Sequence, residues 1–228
     1  MTVKRTPDAA LVLLSGGQDS TTCLFWAKER FNRVEAIGFD YGQKHRVELE
    51  QAQRIADLAD VSLKIVNIQG ILQGSALTEH EKDIAAAHDL NPSLPASFVP
   101  ARNALFLTIA AGYGYTREIY DLVGGMCQTD YSGYPDCRRV FIDSQQTTLS
   151  LALGHDIRIH TPLMYLTKAE TWKLAAELGV LDIVREYSHT DYNGDRTTFN
   201  EWGYGKLDNP ASILRAQGYE EAKAKGWI

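Results

Sequence analysis

The feature that most constrains this chain is a junction. An apolar run over 9–14 ends in Ser15-Gly16-Gly17-Gln18-Asp19-Ser20, and a helical pattern runs on from Ser20 to Phe31. A buried strand that turns at once into a helix needs glycines, which let the backbone bend tightly and approach a bound group closely. The first amides of the helix lack intrahelical partners, and its positive dipole end favours an anion. Ser15 and Ser20 add hydroxyl donors. Asp19 repels a bare phosphate, so it points to a magnesium ion or to a role at the helix start. The loop matches neither the GxxxxGK(S/T) phosphate loop nor the GxGxxG dinucleotide turn. A strand-to-helix turn with capping serines would use the same residues, and the loop alone does not choose between the two.

Strand and helix patterns alternate beyond it. Strands are expected over 34–39, 61–66, 119–123 and 157–160, and helices over 44–58, 103–113, 138–153 and 167–178. The last helix opens on Thr167 and Glu170, the spacing of a capping box. Such alternation predicts an α/β fold, a Rossmann-like open parallel sheet. Residues 71–100, with Gly74, Pro92, Pro95 and Pro100, break the rhythm and predict a long binding loop with short helical pieces. After Arg185 the periodicity fades. The expected organisation is a main domain over 1–185 and a small helical or irregular appendage over 186–228.

Composition removes several function classes. Lysine and arginine number 23 against 29 acidic residues, a net charge of −6, so a basic nucleic-acid-coating face is not expected. No apolar stretch approaches the roughly 20 residues that span a bilayer. The polar start over 1–10 lacks a signal-peptide core. Three cysteines without close pairing predict a reducing, cytoplasmic setting.

Four further segments concentrate polar chemistry. Tyr41, Gln43 and His45 follow the second strand, where open α/β sheets bind ligands. Arg102 and Asn103 open a helix, and Arg102 suits a phosphate or a carboxylate. The loop after the fourth strand holds Thr129, Asp130, Tyr131, Tyr134 and Asp136. A purine-like ring could stack there on Tyr131 or Tyr134, and Asp136 could accept hydrogen bonds from a guanine-like edge. Lys168, in the first turn of the capped helix, could reach a phosphate.

SGGQDS resembles the loop of the N-type ATP pyrophosphatases, which split ATP between its α- and β-phosphates. SGGQDSTTCL (15–24), FDYGQKHRVELE (39–50), FVPARNALFLTIAA (98–111), CQTDYSGYPDCR (127–138), TPL (161–163) and KAETWKLA (168–175) together resemble one family, the QueC-type 7-cyano-7-deazaguanine (preQ0) synthases. The resemblance implies an ATP-dependent ligase. It would convert 7-carboxy-7-deazaguanine and ammonia to the nitrile with Mg²⁺, as a cytoplasmic homodimer without stable nucleic-acid binding. It implies that Ser15, Gly16, Gly17, Gln18, Asp19 and Ser20 hold pyrophosphate, and Asp19 stays the candidate magnesium ligand on its charge. Asp130 and Asp136 would lie at the deazaguanine, and Arg102 and Lys168 at phosphate or the acyl-adenylate. Asp19, Arg102 and Lys168 form the expected catalytic set. The alternative is a diverged enzyme that stops at the amide or conjugates the deazaguanine to another amine, such as a protein.

One departure from the family stands out. Its members normally close on a four-cysteine zinc site. Here Asp191, Lys206, Asn209 and Ser212 fall at the four ligand positions, before Leu214-Arg215 and Gly218. Lysine repels a cation, and neutral Asn and Ser are poor zinc ligands. The expectation is no zinc, with Tyr192, Phe199, Trp202 and Tyr204 replacing it by aromatic packing. Cys23 is expected to be a buried helix residue, and Cys127 and Cys137 flank the substrate loop.

Overall fold

The computed structural model describes residues 8–43, 47–72, 75, 77, 87–88, 91–129, 133–191 and 194–228. Strand β1 (Ala9–Leu13) feeds α1 (Gln18–Lys28), β2 (Arg33–Asp40) feeds α2 (Val47–Leu58), and β3 (Leu63–Asn67) completes the first half. A short pair follows, β4 (Ala87–His88) and β5 (Asn91–Pro95), and then α3 (Arg102–Tyr115), β6 (Asp121–Val123), α4 (Arg139–Leu153) and β7 (Arg158–His160). The chain ends with α5 (Lys168–Glu177), α6 (Leu181–Tyr187), a small hairpin β8 (Phe199–Asn200) and β9 (Gly203–Tyr204), and α7 (Pro210–Ala224).

The main sheet has five parallel strands in the order β3-β2-β1-β6-β7. Successive side chains of a strand point to opposite faces, and β1 supplies both cores. Leu11 packs with Leu107 of α3 and Ile142 of α4. Ala10 and Val12 pack with Leu24 of α1 and Ile55 of α2. The α/β expectation holds because each strand is a short apolar run and each helix turns one apolar face to it. The crossovers run first to one side of β1 and then to the other, so the switch point lies between β1 and β6, where such sheets bind ligands.

Two expectations change. The stretch over 71–100 is not simply loop and helix: among its described residues β4 and β5 pair antiparallel, Ala87 facing Pro95. Pro92 and Pro95 fall in a two-stranded ribbon, each strand of which has one unpaired edge where a proline is tolerated. The tail is also more regular than expected. Helix α7 lies along α5, with Tyr219 edge-on to the buried Trp172 at 5.2 Å. Ala169, Ala175, Val184, Trp202 and Ala222 complete this third apolar cluster. No described helix is long and apolar enough to cross a membrane.

Candidate nucleotide and substrate site

A cavity of about 900 Å³ opens at the carboxyl ends of β1, β2 and β6. Its floor is the Ser15–Ser20 loop. Gly16 takes φ +87°, and a Cβ there would sit 2.2 Å from the Glu48 carbonyl oxygen. Gly125 lets the loop after β6 approach the start of α1; a Cβ there would meet the Asp19 Cβ at 3.1 Å and the Ser20 amide at 3.2 Å. The plain capping alternative does not hold, because Gly17 is the N-cap of α1 and no side chain caps it. Instead the Ser20 hydroxyl accepts from the Ser15 amide at 3.2 Å and donates to the Gly17 carbonyl at 3.2 Å. The hydroxyls shape the loop, and the first amides of α1 keep their capacity for an anion.

Asp19 and Lys168 meet here across 149 residues of sequence. The Lys168 ammonium lies 2.9 Å from each Asp19 carboxylate oxygen. The capping box of α5 sets the direction of approach: the Thr167 hydroxyl accepts from the Glu170 amide, and the Glu170 carboxylate accepts from the Thr167 amide at 2.8 Å. Gly218 of α7 lies against the Lys168 stem, where a Cβ would come within 2.7 Å of both Cβ and Cγ of the lysine. Gln18 is buried, and neither polar atom of its side chain has a hydrogen-bond partner among the described residues.

The opposite wall is aromatic. Phe39 and Phe106 stack at 4.1 Å with their planes 8° apart, and Tyr41 leans on Phe106 at 5.7 Å. Tyr134 bonds the Ser97 hydroxyl at 2.8 Å. Arg102 stands between these rings, its guanidinium carbon 6.0 Å from the Tyr41 centroid. Burial opposes its charge, but Tyr41, Tyr134, Asp136 and Cys137 outweigh that and hold its pKa above the usual arginine value. Arg102 opens α3 directly after Ala101, a non-glycine residue at φ +58°. Glu48, on the first turn of α2, also lines the cavity. Burial pushes it up to about 7, against the pull of Arg102.

Not every expected residue lines this space. Ser15, Gly17, Gln18, Asp19, Ser20, Tyr41, Gln43, Arg102, Asn103, Tyr134 and Lys168 do. His45, Asp130 and Tyr131 lie outside the described residues. Gly16 shapes the floor from behind. Gln43 folds back on its own strand, accepting from the Tyr41 amide at 3.0 Å. Thr129 faces away and bonds the Leu166 carbonyl. Asp136 is not on the cavity wall: one of its oxygens accepts from the Asn103 amide at 3.0 Å, so it caps the orphan amides of α3. The Asn103 side chain answers by donating to the Asp136 carbonyl at 3.2 Å. Cys23 is buried, as expected.

The residues that sequence reasoning missed are Glu48, Phe106, His189 and Arg215, all of which line the cavity. Phe106 falls one helical turn beyond Asn103, a spacing that shares a face, and that was the available signal. His189 donates its main-chain N–H to the Gly16 carbonyl at 2.8 Å. The tail therefore closes one side of the phosphate loop. Arg215 is fully buried and donates to the Trp202 and Val184 carbonyls and to the Ser188 and Thr190 hydroxyls, all at 2.8–2.9 Å.

The sequence profile of the family described as "Queuosine biosynthesis protein QueC" matches residues 9–223. Among curated relatives, a 7-cyano-7-deazaguanine synthase of Bordetella pertussis (strain Tohama I) is 51% identical, over 92% of this chain and 91% of that one. One from Wolinella succinogenes is 49% identical over 94% of each. One from Rhodopseudomonas palustris (strain BisB18) is 47% identical over 96% of each. The phosphate loop, the switch-point cavity and a match across nearly the whole length of these relatives agree, and the chain belongs to the QueC family of queuosine biosynthesis proteins.

Proposed function

We propose that this protein makes 7-cyano-7-deazaguanine from 7-carboxy-7-deazaguanine, ATP and ammonia. The observation that carries the reading is a single cavity joining an anion-binding helix start to an aromatic wall that holds an arginine. The open amides of α1, with Lys168, suit the phosphates. Tyr41, Phe106 and Tyr134 suit a planar base, and Arg102 suits its carboxylate.

The residues act mainly by placement. Arg102 would hold the carboxylate facing the α-phosphorus, so that attack expels pyrophosphate onto the α1 amides. Lys168 would balance the charge that builds on the phosphate oxygens. Ammonia then displaces AMP to give the amide, and a second activation at the amide oxygen followed by loss of AMP gives the nitrile. A magnesium ion needs few protein ligands when phosphates supply the rest. Asp19 lines the cavity and would hold it, with the Lys168 ammonium shifting from the carboxylate oxygens it now bonds toward the phosphates. A free base as substrate accords with the acidic chain and needs no nucleic-acid surface. We also place the enzyme in the cytoplasm as a homodimer.

Mass spectrometry of a reaction with 7-carboxy-7-deazaguanine, ATP, Mg²⁺ and ammonia tests the reading. The expected product is the nitrile with two AMP per turnover. Amide as the only product, or AMP release that requires an added protein acceptor, would overturn it.

A further inference from the structure

The four positions where the family carries zinc ligands come together in this chain. One oxygen of Asp191 accepts from the Lys206 amide at 3.0 Å, the Asn209 side-chain amide at 3.0 Å and the Ser212 hydroxyl at 2.9 Å. The Asn209 carbonyl oxygen in turn accepts from the Ser212 amide at 3.0 Å, which caps α7. Asp191, Asn209 and Ser212 are all buried, and Lys206 is exposed, contributing its main chain.

This donor set does not fit zinc. A structural zinc site needs four lone-pair donors at about 2.0–2.3 Å, most of them thiolates. Here two N–H groups and a hydroxyl turn their protons toward the carboxylate, where a cation would have to sit. The packing is closed as well. Gly205, at φ +133°, approaches so nearly that a Cβ would lie 2.9 Å from the Asp191 oxygen and 3.0 Å from the Ser212 hydroxyl. Among the described residues no group of three or more His, Cys, Asp or Glu gathers to hold a metal.

We propose that this hydrogen-bonded knot on Asp191 takes the place of the structural metal and ties the tail to the nucleotide site. The connection is short. Asp191 is two residues from His189, whose N–H holds the Gly16 carbonyl of the phosphate loop. Arg215, one turn beyond Ser212, grips Ser188 and Thr190 on either side of that histidine. A buried carboxylate that accepts three hydrogen bonds is strongly held, and removing it strands all three donors.

The test uses the full chain. Metal analysis of protein purified without chelator is expected to find far less than one zinc per chain. Overnight EDTA followed by Mg²⁺ is expected to leave the melting temperature unmoved. Asp191→Ala is expected to lower the melting temperature by roughly 10 °C and to raise KM for ATP several-fold. Asp191→Asn, which keeps an acceptor oxygen, is expected to recover most of both. Should Asp191→Ala fail to fold, the variant carrying Asp191→Cys, Lys206→Cys, Asn209→Cys and Ser212→Cys takes over. It is expected to bind one Zn²⁺ from zinc sulfate and to melt higher with it, which marks the four positions as one tetrahedral frame. About one zinc per wild-type chain, with a melting point that falls on chelation, overturns the proposal. So does Asp191→Ala with unchanged melting and KM, or a four-cysteine variant that ignores zinc.

Discussion

Lys168 Nζ lies 2.9 Å from both carboxylate oxygens of Asp19, and the lysine side chain is only 10% exposed. The ammonium is thus held at the Ser15–Ser20 end of the cavity by a partner that lines the same cavity. A buried ion pair is a poor source of stability, because desolvation offsets most of the attraction, so its position argues for function. Lys168→Met should lower deazaguanine-dependent AMP release by about a hundredfold or more, the scale on which a transition-state charge contact acts. A loss below tenfold in steady-state assays would falsify the assigned role.

Gly16 and Gly112 separate two uses of glycine. Gly16 combines φ +87° with 2.2 Å between a built Cβ and the Glu48 carbonyl, and its own carbonyl is bonded by His189. Gly16→Ala must move α2 or the phosphate loop, and should cost upwards of ~3 kcal/mol along with ATP binding. Gly112 is exposed within α3, with nothing within 4 Å of its built Cβ. Gly112→Ala should instead stabilise the protein by up to ~1 kcal/mol. Thermal melts of both variants check the contrast; equal shifts would remove the close-approach argument.

The alternation of strand and helix was readable because it is local: a continuous apolar run in β1, helical spacing in α1–α5, a capping box at Thr167. The phosphate loop was readable for the same reason. What was not legible falls where the partner is distant in sequence. Asp136 read as a base-recognising carboxylate, but α3 begins 33 residues upstream with an amide in need of an acceptor, and the carboxylate serves that first. The metal substitute was expected to be aromatic. Trp202 does pack into the third cluster, yet Phe199 is 49% exposed with its ring against Tyr204, and Tyr192 is outside the described residues. The polar knot was hidden because Lys206 enters it through its main chain, which no side-chain inventory reveals.

Asp136 still shapes the substrate end. Its charge is one of those that hold Arg102 firmly cationic. Asp136→Asn keeps an acceptor for α3 while removing that charge, so the fold should persist and KM for 7-carboxy-7-deazaguanine should rise several-fold. Asp136→Ala leaves the Asn103 amide unbonded and should also destabilise, by about 1–3 kcal/mol. If the two variants match in both melting and KM, charge and cap have not been separated and the assignment is wrong.

Glu48 gives a prediction in pH. Burial raises it to about 7 in the folded chain, while an unfolded glutamate ionises near pH 4.3. Between those values the native state holds a proton that the unfolded state has lost, so stability attributable to this group falls as pH rises through the window. Glu48→Gln, fixed in the neutral form, should therefore gain on the wild type between pH 5 and pH 8. Melting curves of the pair at both values test this, and a pH-independent difference would count against it.

Gly218 connects the tail to the chemistry. It sits on α7, yet a Cβ there would lie 2.7 Å from both Cβ and Cγ of Lys168 and 2.9 Å from its main-chain carbonyl carbon. The α5–α7 interface is otherwise anchored by Trp172, which donates to the Arg215 carbonyl at 3.1 Å, so the two helices cannot easily part. The Cβ and main-chain carbon of Lys168 cannot swing aside by side-chain rotation, so an added methyl has to displace the first turn of α5, and the ammonium with it, away from its place beside Asp19. Gly218→Ala also improves helix propensity by roughly 1 kcal/mol, which offsets part of the crowding. The expected result is a melting point lowered by several degrees and a loss of AMP release of at least tenfold, since small misplacements of a charge contact are costly. A crystal structure or the pH-rate profile of the variant would locate the displaced lysine. Full activity in Gly218→Ala would mean that α7 yields instead, and that the tail does not set the position of Lys168.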